Sequence, residues 1–131
     1  MSRSLNDLSP RFRPLAMELL ARTIEAGIPV VIVDTLRTEA EHKQNVLHGR
    51  SWTNHSKHLD GDAIDICPYS QWDAHGDKKL NWDGGDPVWQ RLGVLGEALG
   101  LRWGARFRPP AKPDMGHFEY VERAPDPNRA A

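Results

Sequence analysis

Apolar residues near the start of the chain recur at helical spacing. Phe12, Leu15, Leu19 and Thr23, with Ala16 and Leu20 beside them, form one stripe. Ser9-Pro10 gives that stripe a capping residue followed by proline at the first helical position, and Gly27 stops it. Val30-Val31-Ile32-Val33 is β-branched or apolar throughout and too short for a helix. It reads as a strand buried on both faces. Thr38-Glu39-Ala40-Glu41 has capping-box spacing, which predicts a second helix running to about His48 with Gly49 ending it.

The pattern then loosens. Residues 50–62 are polar and read as loop, and Ala63–Ile66 as a short strand. Strand side chains alternate, so Ala63 and Asp65 share one face of it and Ile64 and Ile66 the other. The stretch 68–85, rich in Asp, Gly, Lys and Trp, reads as a long surface loop. Asp86-Pro87 opens a third helix, on which Val88, Leu92, Leu95 and Leu99 keep helical spacing up to Gly100. Residues 101–103 and 117–121 read as strands able to pair, separated by the proline-rich segment 108–113. This is an α+β pattern around one small sheet, with a single domain over 1–123 and a loose tail over 124–131.

Composition narrows the function classes. A chain of 131 residues suffices for one domain with its own core. With 17 basic and 18 acidic residues the net charge is -1, so nothing draws it to nucleic acid or an anionic membrane. A mean hydropathy of -0.61 and no long apolar run argue against a membrane anchor. Residues 1–7 lack the apolar stretch of a signal peptide. The single cysteine, Cys67, forms no internal disulfide, which fits synthesis in a reducing compartment, and a monomer is expected.

Asp65 is the residue that most needs an explanation. A carboxylate projecting from a core strand is costly unless paired or bound to a metal. Catalytic zinc takes three protein ligands and leaves one position open, and His58, Asp65 and His117 could supply two imidazoles and a carboxylate if their strands lie side by side. Alternatively Asp65 accepts hydrogen bonds from a neighbouring loop and the histidines are scattered on the surface. His55, three residues before His58, is a rival ligand, and spacing does not choose between them.

The motif Ser56-x-His58-x-x-Gly61-x-Ala63-x-Asp65, followed by Asp114-x-x-His117, resembles the zinc peptidases of the D-alanyl-D-alanine carboxypeptidase/VanY group. Within the group it is most similar to the L-alanyl-D-glutamate endopeptidases that serve as bacteriophage endolysins. Ser4-Leu5-Asn6-Asp7-Leu8, Arg37-Thr38, Gly49-Arg50, Leu101-Arg102-Trp103-Gly104 and Gly116-His117-Phe118-Glu119 extend the likeness over nearly the whole chain in the family's order. It implies a Hedgehog/D,D-peptidase-like fold, a mainly antiparallel sheet flanked by about three helices. It implies Zn2+ held by His58, Asp65 and His117, with Asp114 as general base. Arg37 matches an arginine that holds substrate or the developing oxyanion, and Ser56 a serine of the substrate site that supports rather than attacks. Without the resemblance, Arg37 reads as a helix-start salt bridge. The chain departs from the pattern at His42, where the family usually has glutamine, and in the run Trp103-Gly104-Ala105-Arg106-Phe107.

Other conspicuous residues carry blander readings. Cys67 is expected to be a buried structural thiol, and Trp89 and Trp103 core residues. Trp52, Trp72 and Trp82 lie in predicted loops, where they line a groove or pack locally. Asp73, Asp77, Asp83 and Asp86 lack the spacing of a calcium loop, and Ser56 lacks a nucleophile elbow. The resemblance implies a zinc-dependent hydrolase of bacterial peptidoglycan cutting the stem peptide between L-alanine and D-glutamate, made in the host cytoplasm by a phage or prophage and later released to the wall. A D-alanyl-D-alanine carboxypeptidase is the alternative within the class. A non-catalytic, zinc-stabilised binding module is the alternative outside it.

Overall fold

Strands β1 (Val30–Asp34), β2 (Ala63–Pro68), β3 (Arg102–Trp103) and β4 (His117–Glu119) form one sheet in the order β1-β2-β4-β3, antiparallel throughout. Helices α1 (Arg13–Glu25), α2 (Glu39–Leu47) and α3 (Pro87–Ala98) complete the α+β fold that the pattern predicts. The computed structural model describes residues 2–47, 56–69 and 80–122. Several expectations lie outside them: the helix end at His48-Gly49, the Gly49-Arg50 match, Trp52, His55, Trp72, Asp73, Asp77, and the boundary at 123 with the tail 124–131.

Local chemistry explains most element ends. Thr38 and Glu41 make the reciprocal capping box, each side-chain oxygen accepting from the other's backbone N–H at 3.1 and 3.2 Å. Asp86 caps α3 through the Val88 N–H at 2.9 Å, with Pro87 next. Gly27 follows α1 at φ 71°, a left-handed conformation that costs glycine little.

The core lies on one face of the sheet. Ile64 of β2 pairs with Phe118 of β4, which pairs with Trp103 of β3, so these three share a face. They join Ala16 and Leu19 of α1 and Trp89 and Leu92 of α3 in one cluster of buried residues. Burying each such large apolar side chain contributes roughly 1.5–3 kcal/mol.

Several expectations change. Helix α1 starts at Arg13, because Ser9 and Pro10 open a turn ahead of it in which the Phe12 N–H meets Ser9 Oγ at 3.3 Å. Strand β2 runs past Ile66 to Pro68. The strand 30–33 is not buried on both faces: among the described residues β1 is an edge strand paired with β2 alone, and Val31 is 37% exposed. The last strand ends at Glu119 instead of 121. Within the expected loop 50–62, Lys57–Asp60 form a 3-10 turn.

Candidate metal centre

The opposite face of the same strands carries the charged groups. β1 and β2 run in step from Val30↔Pro68 to Ile32↔Ile66, then Asp34 partners Asp65, leaving Val33 as the extra residue of a β-bulge. Asp65 in turn partners His117. The row Asp34–Asp65–His117 therefore crosses three strands on the face turned away from Ile64 and Phe118.

His58 reaches this row from the 3-10 turn before β2. Ser56 caps the turn, its Oγ accepting from the His58 N–H at 3.2 Å. Gly61 closes it at φ 72°, and a Cβ there would meet Ser9 N at 2.9 Å, so glycine is required twice over. The His58 ring is buried, with Nδ1 2.8 Å from the Thr35 carbonyl oxygen. A carbonyl only accepts, so the ring proton sits on Nδ1 and the Nε2 lone pair faces inward.

Donor atoms of His58, Asp65 and His117 all lie within 4.8 Å of one another. Asp65 Oδ1 is 3.2 Å from His58 Nε2 and 3.0 Å from His117 Nδ1. The rings meet edge to face, with centroids 5.2 Å apart. His58 Nε2 is buried and makes no hydrogen bond: the nearby Asp65 Oδ1 is a second acceptor, and two lone pairs facing each other cost free energy that a coordinated cation removes. Two imidazoles and a carboxylate are a zinc donor set. These residues fit the metal.

The electrostatics agree. Burial would raise the Asp65 pKa, but the hydrogen bond from His117 and the closeness of the His58 ring more than reverse this and hold the carboxyl well below the usual range. Burial would lower that of His117, but Asp65 and Glu119 outweigh it and push the ring up to about 10. The pocket favours positive charge. Glu119, whose Oε1 is 2.8 Å from His117 Nε2, supplies part of that field.

Asp114 lies in the turn that feeds β4. Its N–H donates to the Gly104 carbonyl at 2.9 Å and its carbonyl accepts from His117 N–H at 3.3 Å. The residue is at the surface, yet partial desolvation, then the charge of Asp65, raise its pKa above the ordinary carboxylate value, opposed by His117 and His58. Arg37 donates to Asp34 Oδ2 at 2.8 Å and its backbone N–H to the His58 carbonyl at 3.2 Å. The salt bridge expected at the helix start exists, but its partner belongs to the charged row.

Sequence reading missed Asp34, Thr35 and Glu119. Glu119 was detectable, since residues two apart on a strand share a face. Asp34 was legible only as an acidic residue ending an apolar strand. Thr35 acts through its backbone, which leaves no side-chain signal. Of the residues given blander readings, Cys67 is buried and unpaired, with burial pushing its thiol up to about 11. Trp82 is 59% exposed and stacks on Trp89 at 6.1 Å, so it packs locally. No described helix is long and apolar enough to cross a membrane.

Comparison with known proteins places this geometry. The family described as D-alanyl-D-alanine carboxypeptidase matches residues 49–120. The chain is 31% identical to the L-alanyl-D-glutamate peptidase of Escherichia phage T5 over 102 residues, 71% of this chain and 70% of that protein. It is 33% identical to the L-alanyl-D-glutamate peptidase of Listeria phage A118 over 107 residues, 79% of this chain but 36% of that protein. In fold it is similar to the Serratia marcescens L-Ala D-Glu endopeptidase ChiX, with a TM-score of 0.68 at 21% identity, covering 92% of this chain and 87% of that one.

Proposed function

Because the chain belongs to the D-alanyl-D-alanine carboxypeptidase family of peptidases, we propose that it is a zinc-dependent peptidoglycan hydrolase that cuts the stem peptide between L-alanine and D-glutamate. The observation that carries the reading is the convergence of His58, Asp65 and His117 within 4.8 Å around a buried, unpartnered His58 Nε2. The two phage relatives, each named for the same bond, support the choice of substrate. A phage or prophage lytic enzyme, made in the cytoplasm and later released to the wall, is the matching biological role.

His58, Asp65 and His117 hold the zinc, which when bound supplies Lewis acidity that polarises a carbonyl and makes water more acidic. Asp114 takes the proton from the attacking water as its oxygen adds to the scissile carbonyl carbon. It returns that proton to the amine as the C–N bond breaks, releasing an acid and an amine. Its raised pKa brings the carboxylate nearer the strength a base needs close to neutral pH. Arg37, braced by Asp34, offers its guanidinium to a substrate carboxylate or the developing oxyanion. Ser56 serves the site by fixing the turn that carries His58.

Digestion of purified peptidoglycan, followed by mass spectrometry of the products, tests the assignment. The expected product carries a new N-terminal D-glutamate. A released D-alanine would establish the carboxypeptidase alternative, and intact wall beside a zinc-loaded chain would establish the non-catalytic one.

A further inference from the structure

Glu119 is only 6% exposed, an unusual place for a carboxylate. Its backbone is pinned on both sides, paired with Ala63 on β2 and with Arg102 on β3. Its side chain projects from the same face of β4 as His117. Oε1 lies 2.8 Å from His117 Nε2, while Oε2 is 4.0 Å from Arg102. The Phe107 ring stands 5.5 Å from the His117 ring, and the Arg102 guanidinium covers Phe107 at 4.7 Å. One nitrogen of His117 is thus held from behind while the other faces Asp65.

A carboxylate only accepts, so without a metal both His117 nitrogens carry protons, Nδ1 toward Asp65 and Nε2 toward Glu119; a metal held by Asp65 would take the place of the Nδ1 proton and leave the Nε2 proton on Glu119. We propose that Glu119 is a positioning residue, gripping His117 through Nε2 so that Nδ1, 3.0 Å from Asp65, is the nitrogen presented to the metal. The inference rests on the zinc reading above and adds a role that the expected ligand set does not contain. Burying a carboxylate beside an arginine that is itself 56% exposed is a poor stability device. Outer partners of ligating histidines, by contrast, commonly govern metal affinity through ring orientation.

Zinc affinity measured by competition with a chromophoric chelator, with the visible spectrum of the cobalt(II)-loaded chain beside it, tests this without reference to activity. Glu119→Ala should bind zinc about 10–100-fold more weakly, the range for losing an outer partner, and alter the cobalt spectrum. Glu119→Gln keeps an oxygen that can accept from Nε2–H, and should recover most of the affinity and the parental spectrum. If the alanine chain does not fold, Glu119→Leu fills the space without an acceptor and should show the same weakening. Parental affinity and spectrum in the variant lacking an acceptor would overturn the proposal, as would a glutamine variant no better than alanine. A parent chain that takes up no zinc would overturn the zinc reading itself, a different result from a parent that binds and variants that bind equally well.

Discussion

On one face of β2 and β4, Ile64, Ile66 and Phe118 are completely buried in a cluster with residues of α1 and α3. On the other face of the same strands, Asp65, His117 and Glu119 hold one another through hydrogen bonds of 2.8–3.0 Å. The faces are interleaved residue by residue, so a one-residue slip in register would exchange them. The apolar face is specified by volume and tolerates swaps that preserve it. The charged face is specified atom by atom, because each buried polar group needs its own partner. The hydrophobic row therefore does more than stabilise: it fixes the register that sets Asp65 beside His117.

The sharpest way to break this pairing of faces is to remove a ligand while leaving the core alone. His58→Ala, Asp65→Ala and His117→Ala should each lose zinc and abolish hydrolysis, whereas His55→Ala should do neither. Metal content by elemental analysis checks this, and zinc retained in the His58 variant would refute the ligand set. Chelation should lower the Tm of the parent, because a metal bound only by the folded state adds to its stability. The same chelator should leave the Tm of the ligand variants unchanged.

A smaller loss is expected at Asp114→Asn, which keeps size and hydrogen bonding but cannot take a proton. Zinc content and Tm should stay near parental while turnover falls by about 10²–10⁴-fold, the range for a positioned proton-transfer group. Wall lysis at the parental rate would reduce Asp114 to a turn residue. Zinc loss would make it a ligand.

How far the two faces could be foreseen differs. The core row was legible because apolar periodicity reports burial directly, and Trp103, Leu92 and Leu19 are all where their spacing predicts. The proposed ligands were legible only as candidates: spacing left His55 open against His58, and only the family likeness favoured His58. The support of the site was mostly illegible. A β-bulge at Val33 turns Asp34 onto the charged face, and no composition rule marks that bulge. The Thr35 carbonyl that orients His58 is backbone, so any residue there could provide it. The misread exposure of β1 has a similar cause, since an apolar run does not say whether its strand has one neighbour or two.

The core face can be tested where it is tightest. A Cβ at Gly96 would come within 2.4 Å of the Phe118 ring, which is fully buried and stacks on Trp103 at 6.5 Å. Gly96→Ala gains about 1 kcal/mol of helix propensity, but overpacking of a closed core costs about 1–3 kcal/mol. Overpacking wins, and the net loss should be up to about 2 kcal/mol in denaturant unfolding. Zinc affinity should be kept, because Phe118 points away from its neighbours on the charged face. A stabilised variant would show that the ring has room to move.

The smallest effect is expected at Asp62, where the turn that carries His58 meets the start of β2. Asp62 is 1% exposed; its Oδ1 accepts from Ser9 Oγ at 2.5 Å and its Oδ2 from Arg11 Nη2 at 2.5 Å. Burial would raise its pKa, but the bonds from Arg11 and Ser9 outweigh that and the pKa lies below the ordinary value. A depressed carboxylate stabilises the fold above its unfolded pKa of about 3.9, and that contribution disappears as pH falls through the lower folded value. Asp62→Asn should therefore have a lower Tm than the parent at pH 7, with the gap narrowing below about pH 4. Zinc affinity measured at pH 7 should change little, because the His58 ring is oriented by Thr35 and not by Asp62. A gap that stays constant down to low pH would mean that Asp62 contributes shape and neutral hydrogen bonds, not charge. A large loss of zinc affinity would mean that the Ser9–Asp62–Arg11 cluster holds the metal turn itself, and the boundary between the two faces would then have to be drawn on the other side of Asp62.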